Sequence, residues 1–206
     1  MVAAFACMAF AGAPALAGAQ DLIPPDTAQL RGRVTTASAR EAIARVTWAE
    51  AAGQGDSGLA GVVDTILNRL ASGRWGGDVD TVVNARGQFE PVLRAGGDWR
   101  NLPAVSAAQR ARVDTILNLA LDGRLPDPTA GALFFQNPKI VAARAAAGRV
   151  SPRLVDFGGR RPVATIGDHA FYGPEPGGAG PPASKPEPGE RGLFVLADGA
   201  IVEDLP

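Results

Sequence analysis

Apolar residues recur at helical spacing in several stretches of the chain. The clearest stripe is Leu59, Val62, Val63, Ile66, Leu67 and Leu70, at i, i+3, i+4, i+7, i+8 and i+11, which predicts a helix over about 58–70. Asp56 or Ser57 is placed to cap it. An earlier helix is expected over 39–52, because Ser38 and Glu41 make an S-x-x-E capping box and Gly53 ends the run. A third opens on the Ser106 and Gln109 box, carries Val113, Ile116, Leu117 and Ala120 inward and stops at Gly123. The fourth, Ala-rich, is expected over 138–147, with Asn137 as N-cap and Gly148 beyond its end. Extended candidates are short, at 132–135 and 162–166. The pattern predicts an α+β, mainly helical single domain with a small sheet.

Outside these elements the pattern weakens. Residues 20–37 hold Pro24-Pro25 and no sustained period, and are expected as a leader or linker onto a domain at 38–173. Residues 73–105 form a Gly-rich, loop-like stretch, of a length that is often functional. From 174 to 192 there are six Pro and five Gly, a linker composition, and the tail at 193–206 alternates around Asp198-Gly199 as a β-hairpin would. The string V-D-T-x-x-N occurs at Val63, Val79 and Val113, but the unequal spacings of 16 and 34 exclude a repeat architecture.

The first residues are of another kind. Residues 2–17 are uncharged and apolar and run into the small-residue triplets Ala15-Leu16-Ala17 and Ala17-Gly18-Ala19, which predicts a signal peptide over 1–19, although no Lys or Arg precedes Arg31. An apolar anchor is the alternative, but the run falls short of the ~20 residues that a span needs. Export to the periplasm or cell envelope is the expectation. Cleavage would remove Cys7, the only cysteine, and leave no disulfide to form.

Composition narrows the chemistry. The 206 residues (21.1 kDa) are 46% hydrophobic and 20% charged, enough to bury a core, and 20 basic against 21 acidic side chains argue against a nucleic-acid partner held by a basic surface. His169 is the only histidine, so a zinc site with its usual pair of His ligands is not expected, and no metal or cofactor is called for. A cysteine peptidase would need a thiol in the mature chain. Gly55-Asp56-Ser57-Gly58 looks superficially like a serine-protease nucleophile loop, but His169 follows it instead of preceding it. No G-x-S-x-G elbow, phosphate loop or dinucleotide fingerprint is present.

Carboxylate chemistry survives. Of seven Glu residues only Glu41, Glu50 and Glu90 fall within the expected domain. On a helical wheel of ~100° per residue, Glu50 lies about 20° from Ile43 and about 40° from Val46, whereas Glu41 points the opposite way. A carboxyl on the apolar stripe, in the last turn of its helix, is in an environment that favours the protonated form. A glycosidase prepares its general acid this way. The structural alternative is a carboxylate bonded to Arg45 or to backbone amides.

Five blocks in order complete the picture: Trp48-Ala-Glu50-Ala, Ile66-Leu-Asn-Arg69, Gly87-Gln-Phe89, Gly131-Ala-Leu-Phe-Phe-Gln-Asn-Pro138 and Thr165-Ile-Gly-Asp-His-Ala-Phe-Tyr172. Over about 39–173 the chain resembles the catalytic domain of the SleB/CwlJ-type cell wall hydrolases, the spore-cortex-lytic enzyme family. The resemblance implies a lysozyme-like fold related to lytic transglycosylases, action on the glycan strands of peptidoglycan, and Glu50 as the catalytic acid. Nothing in the chain resembles the peptidoglycan-binding repeats of cortex-acting members, so cortex is not implied as substrate.

On that basis Glu50 is expected to protonate the glycosidic oxygen between N-acetylmuramic acid and N-acetylglucosamine and then to act as base. Taking the muramic C6 hydroxyl proton gives a 1,6-anhydro product, as in a lytic transglycosylase; activating water gives a muramidase. Asp56, Asp64, Asp78 and Asp80 are adequately explained by capping and solvation, and the missing second carboxylate favours transglycosylation. Gln88, Phe89, Phe135, Asn137, His169, Tyr172 and Asn68 are the candidate substrate contacts, set against packing, capping or simple exposure for each. A monomer is expected, with or without an activator protein. A non-catalytic peptidoglycan-binding or scaffold protein of the same fold and a peptidoglycan amidase or peptidase are the competing functions.

Overall fold

The computed structural model describes residues 25–174 and two short strands in the tail. Three helices form the centre: α2 (Ala37–Ala51), α3 (Gly55–Ser72) and α6 (Ala107–Leu121), each packed on the other two. α1 (Pro25–Val34) lies against all three. Between α3 and α6 the chain forms α4 (Val79–Val83), α5 (Glu90–Arg94) and a 3-10 turn at Trp99–Asn101, all packed on α2. β1 (Phe134–Gln136) leads into α7 (Pro138–Ala146), and β2 (Ala164–Ile166) and β3 (His169–Tyr172) complete an antiparallel sheet of order β1-β3-β2.

The apolar stripe read from α3 is the axis of the core: Leu59, Val62, Val63, Ile66 and Leu70 are fully buried, facing Ile43 and Val46 of α2 and Leu117 of α6. α3 starts three residues earlier than its stripe predicts, at Gly55, with Gln54 as N-cap residue, so Asp56 and Ser57 occupy its first turn and do not cap it. α2 also starts earlier than expected. Thr36, not Ser38, is its cap, its Oγ1 accepting from the Ala39 N–H at 3.1 Å. Glu41 does not reach back to the cap because Arg45 (2.5 Å) and Arg110 hold its carboxylate. The Ser106–Gln109 capping box of α6 and the Asn137 cap of α7 are both formed as the sequence predicts.

The expected leader is a correction. Residues 25–34 form α1, which has no apolar stripe to betray it; it is docked by guanidiniums on the carbonyl ends of other helices, Arg31 on Leu121 O (2.8 Å) and Arg33 on Leu70 O (2.7 Å). The loop-like stretch 73–105 likewise contains two short helices; each has only five residues, too few for a periodic signal. The expected tail hairpin is present as β4 (Phe194–Val195) and β5 (Ile201–Val202), paired antiparallel. The expected signal peptide and residues 175–192 of the expected linker lie outside the described residues. No described helix is long and apolar enough to cross a membrane.

The sheet is short but firmly registered. Phe135 faces Phe171, and Ile166 faces His169 across a two-residue turn in which Gly167 has φ 58°. Gln54 ties that turn to the start of α3, its Oε1 accepting from the Asp168 N–H at 3.0 Å. The sheet meets α3 at Gly61, where a Cβ would stand 2.7 Å from Phe171 Cζ and 3.2 Å from Ile166 Cδ1. Gly61→Ala is therefore expected to lower stability by about 1–3 kcal/mol through overpacking, although alanine favours a helix by about 1 kcal/mol over glycine. Urea denaturation measures the balance, and a more stable variant would mean that the sheet can move off the helix.

Candidate active site

A cleft of roughly 390 Å³ opens where the end of α2 meets α5, α7 and the sheet. Glu50 and Ala49 come from α2, Glu90, Pro91 and Arg94 from α5, Phe135 and Asn137 from β1 and its exit, Ile140 and Arg144 from α7, and His169 from β3. Local rules explain how these parts meet. β1 alternates, so Phe135 faces the cleft while Phe134 turns to Trp75 and Phe157 on the other side. Asn137 caps α7 through Oδ1, accepting from the Lys139 N–H (3.1 Å) and Ile140 N–H (3.2 Å), and also lines the cleft.

The Glu50 carboxyl is strongly perturbed. Burial raises it to about 8, the neighbouring Glu90 adds to the rise, and the Arg69 guanidinium and a hydrogen bond from the Glu90 backbone N–H oppose it. Its Oε1 is buried without a hydrogen-bond partner. Arg45, the partner that a structural carboxylate would use, is committed to Glu41 and to the carbonyls of Arg100 and Leu102. Burial of Oε1 and the nearby Glu90 carboxylate thus favour the protonated form of Glu50, whose side chain is half-buried at the cleft wall.

Arg69 stands behind it. The guanidinium is buried, donates from Nε to Leu133 O at 2.8 Å and lies over Phe89 (4.6 Å) and Trp75 (5.0 Å). Burial lowers it to about 9, with Glu50 pulling the other way, so it stays a cation at neutral pH. Beside Glu50, Glu90 is ion-paired through Oε1 with Arg94 and, at 3.7 Å, with Arg144. His169, buried against Phe135 with ring centroids 5.2 Å apart, is pushed towards its neutral form by burial, with Asp168 opposing.

Four of the residues expected at the site, Glu50, Phe135, Asn137 and His169, come together in the cleft. Four do not. Phe89 is buried under Arg69 as core, because the residue before α5 anchors that helix. Tyr172 is buried too, stacked on Phe157 at 4.1 Å with its hydroxyl accepting from Gln136 Nε2. Gln88 lies outside the lining, 3.5 Å from Arg86 O. Asn68 pins the 127–132 loop, donating to Asp127 Oδ2 (3.0 Å), Thr129 Oγ1 (3.3 Å) and Ala132 O (3.2 Å).

Sequence reasoning passed over Glu90, Arg94, Arg144 and Ile140; only the scarcity of Glu in the domain pointed to Glu90. Of the other carboxyls, Asp56 pairs with Arg112, Asp78 caps α4 and Asp80 binds Trp99 and Arg100. Asp64 is buried and raised to about 7, by burial and then by Asp127, but it is not part of the cleft lining. No group of three or more His, Cys, Asp or Glu among the described residues is placed to hold a metal ion.

The domain is mainly helical with a small antiparallel sheet, and an open cleft lies where the two meet, with Glu50 in its wall. A family model, Cell Wall Hydrolase, matches residues 53–172, starting just after Glu50 and ending with β3. The chain belongs to the cell wall hydrolase family and is an enzyme that acts on peptidoglycan. Among solved structures, the catalytic domain of the germination-specific lytic transglycosylase SleB from Bacillus anthracis matches with a TM-score of 0.47 and 20% identity, over 66% of this chain and 94% of that one. No curated protein matches.

Asn68→Ala is expected to lower stability by about 1–2 kcal/mol, the scale of hydrogen bonds lost from a part-buried loop, while leaving KM for peptidoglycan within about twofold. Thermal unfolding together with turbidity assays on cell walls checks both halves of that expectation.

Proposed function

We propose that the protein cleaves peptidoglycan glycan strands between N-acetylmuramic acid and N-acetylglucosamine, with Glu50 as general acid and then general base. The carrying observation is the Glu50 carboxyl itself, raised to about 8 by burial and by Glu90 at the wall of a cleft. Protonated at neutral pH, it can give its proton to the glycosidic oxygen as positive charge develops on the sugar. The carboxylate then left behind is more basic than a solvated one, and it is the group best suited to remove the muramic C6 hydroxyl proton. Ring closure to the 1,6-anhydro sugar completes the cleavage, and the proton returns Glu50 to its starting state. Glu90 already serves two arginines, which favours this one-carboxyl cycle, lytic transglycosylation, over water activation by a second base.

The rest of the cleft supports a sugar chain. Phe135 and Ile140 offer apolar faces, while Asn137, Arg94 and Arg144 offer polar groups on the same walls. Export to the cell envelope through the apolar amino-terminal segment would bring the enzyme to its polymer.

Mass spectrometry of muropeptides released from purified sacculi tests the reading. Wild-type protein should release anhydro-muramyl products, and Glu50→Gln should release about 100-fold less or lower still. Reducing ends would replace transglycosylation by hydrolysis; undiminished cleavage by Glu50→Gln, or free amino groups in place of glycan ends, would overturn the proposal.

The same carboxyl makes stability depend on pH. Its folded-state value lies above the ordinary value of 4.5, so the stability it allows is fully present below about 4.5 and is lost as pH rises through about 8. Glu50→Gln escapes that loss, and its melting temperature should exceed that of wild type by an amount that grows from pH 4.5 to pH 8 and is constant above.

A further inference from the structure

Glu90 is held more firmly than a cleft-wall carboxylate needs to be. Phe89 before it is locked in the core beneath Arg69, and Pro91 after it occupies the first turn of α5. Its backbone N–H bonds to the Glu50 carboxyl, and its own carboxylate is drawn to Arg94 within α5 and to Arg144 on α7. Two helices and the core therefore fix a negative side chain next to the acid.

We propose that Glu90 is a positioning residue of the reaction, an arginine-clamped anion that keeps the proton on Glu50 until the glycosidic oxygen takes it. The proposal rests on the reading of Glu50 as proton donor. Its physics is simple: a carboxylate close to a second carboxyl opposes ionisation of that carboxyl. The other charged and titratable groups around Glu50 do not supply this effect. Arg69 on α3 opposes it, and Arg94 and Arg144 are cations. His169 on β3 is pushed towards its neutral form by burial. On α2 itself, Glu41 and Arg45 pair with each other.

The arrangement also suits the steps after proton transfer. The new Glu50 carboxylate has Arg69 behind it, so the charge is tolerated long enough to collect the next proton, while Glu90 makes the proton favourable to take up again. Glu90 acts through Glu50 in both steps, with no bond made or broken at its own atoms.

The test is the alkaline limb of kcat/KM for cell-wall cleavage, measured in wild type, Glu90→Gln, Glu90→Asp and Arg94→Gln. In wild type the limb should reflect Glu50, near 8. Glu90→Gln removes the anion and leaves its arginines in place, so the limb should fall by about one pH unit or more, the size of a neighbouring-charge effect. Glu90→Asp should restore most of the shift. Arg94→Gln should move the limb the opposite way, upwards, a sign that general damage to the cleft would not produce.

Carbon-13 NMR titration of the Glu50 carboxyl reads the same shift without turnover, should the Gln variant be too slow to assay. A Glu90→Gln protein with wild-type melting temperature and an unshifted Glu50 titration would overturn the inference, as would a loss of rate that is uniform in pH with no shift. Failure of the underlying reading looks different: Glu50→Gln would still cleave glycan, whatever the titration showed.

Discussion

The site depends on one half-buried carboxyl, set at a cleft wall between a buried cation and a second carboxylate. Glu50 sits in the last turn of α2, where the helix dipole, the burial and a neighbouring carboxylate all disfavour a charge. A charge in that position costs stability unless its surroundings compensate. The surrounding structure shows how its environment is maintained: α5 supplies an anion and a backbone N–H, α3 supplies a buried cation, and the sheet closes the cleft with Phe135 and His169.

Arg69 links that site to the fold. A buried guanidinium is costly unless its donors are used and its faces covered. Here the planar group lies over Phe89 and Trp75 and Nε bonds the carbonyl of Leu133 at the entry to β1, while Nη1 is buried without a hydrogen-bond partner. The same side chain thus attaches the sheet to α3, packs the residue that anchors α5 and places a positive charge near Glu50. Packing and electrostatics are served by one contact set, so the site cannot be loosened without loosening the core.

The V-D-T-x-x-N strings show why similar sequence does not mean similar work. On α3 the Asn pins the 127–132 loop; on α4 Asp80 binds the Trp99 indole and Asn84 its backbone N–H; on α6 Asp114 and Asn118 both receive Arg40. Each helix presents the polar pair at i and i+4 on one face, as helical geometry requires. What that face meets is decided by packing alone. Asn68 was for this reason legible as lying off the apolar stripe but not as a loop anchor.

Periodicity placed α2, α3, α6 and α7, and capping residues fixed the starts of α6 and α7 but not those of α2 and α3, because burial of an apolar stripe and satisfaction of free N–H groups act within a few residues while more than one residue can supply a cap. The wheel also placed Glu50 on the buried side of α2, since residues seven and four apart share a face wherever the helix goes. Short or polar elements escaped: α1 is held by arginines reaching other helices' carbonyls, and α4 and α5 are too brief to show a period. Tertiary structure alone decided that Phe89 and Tyr172 are core, that Arg69 lies beneath the acid and that Glu90 stands beside it. These are contacts between segments distant in sequence, and their geometry comes from how helices and sheet stack, which no local pattern encodes.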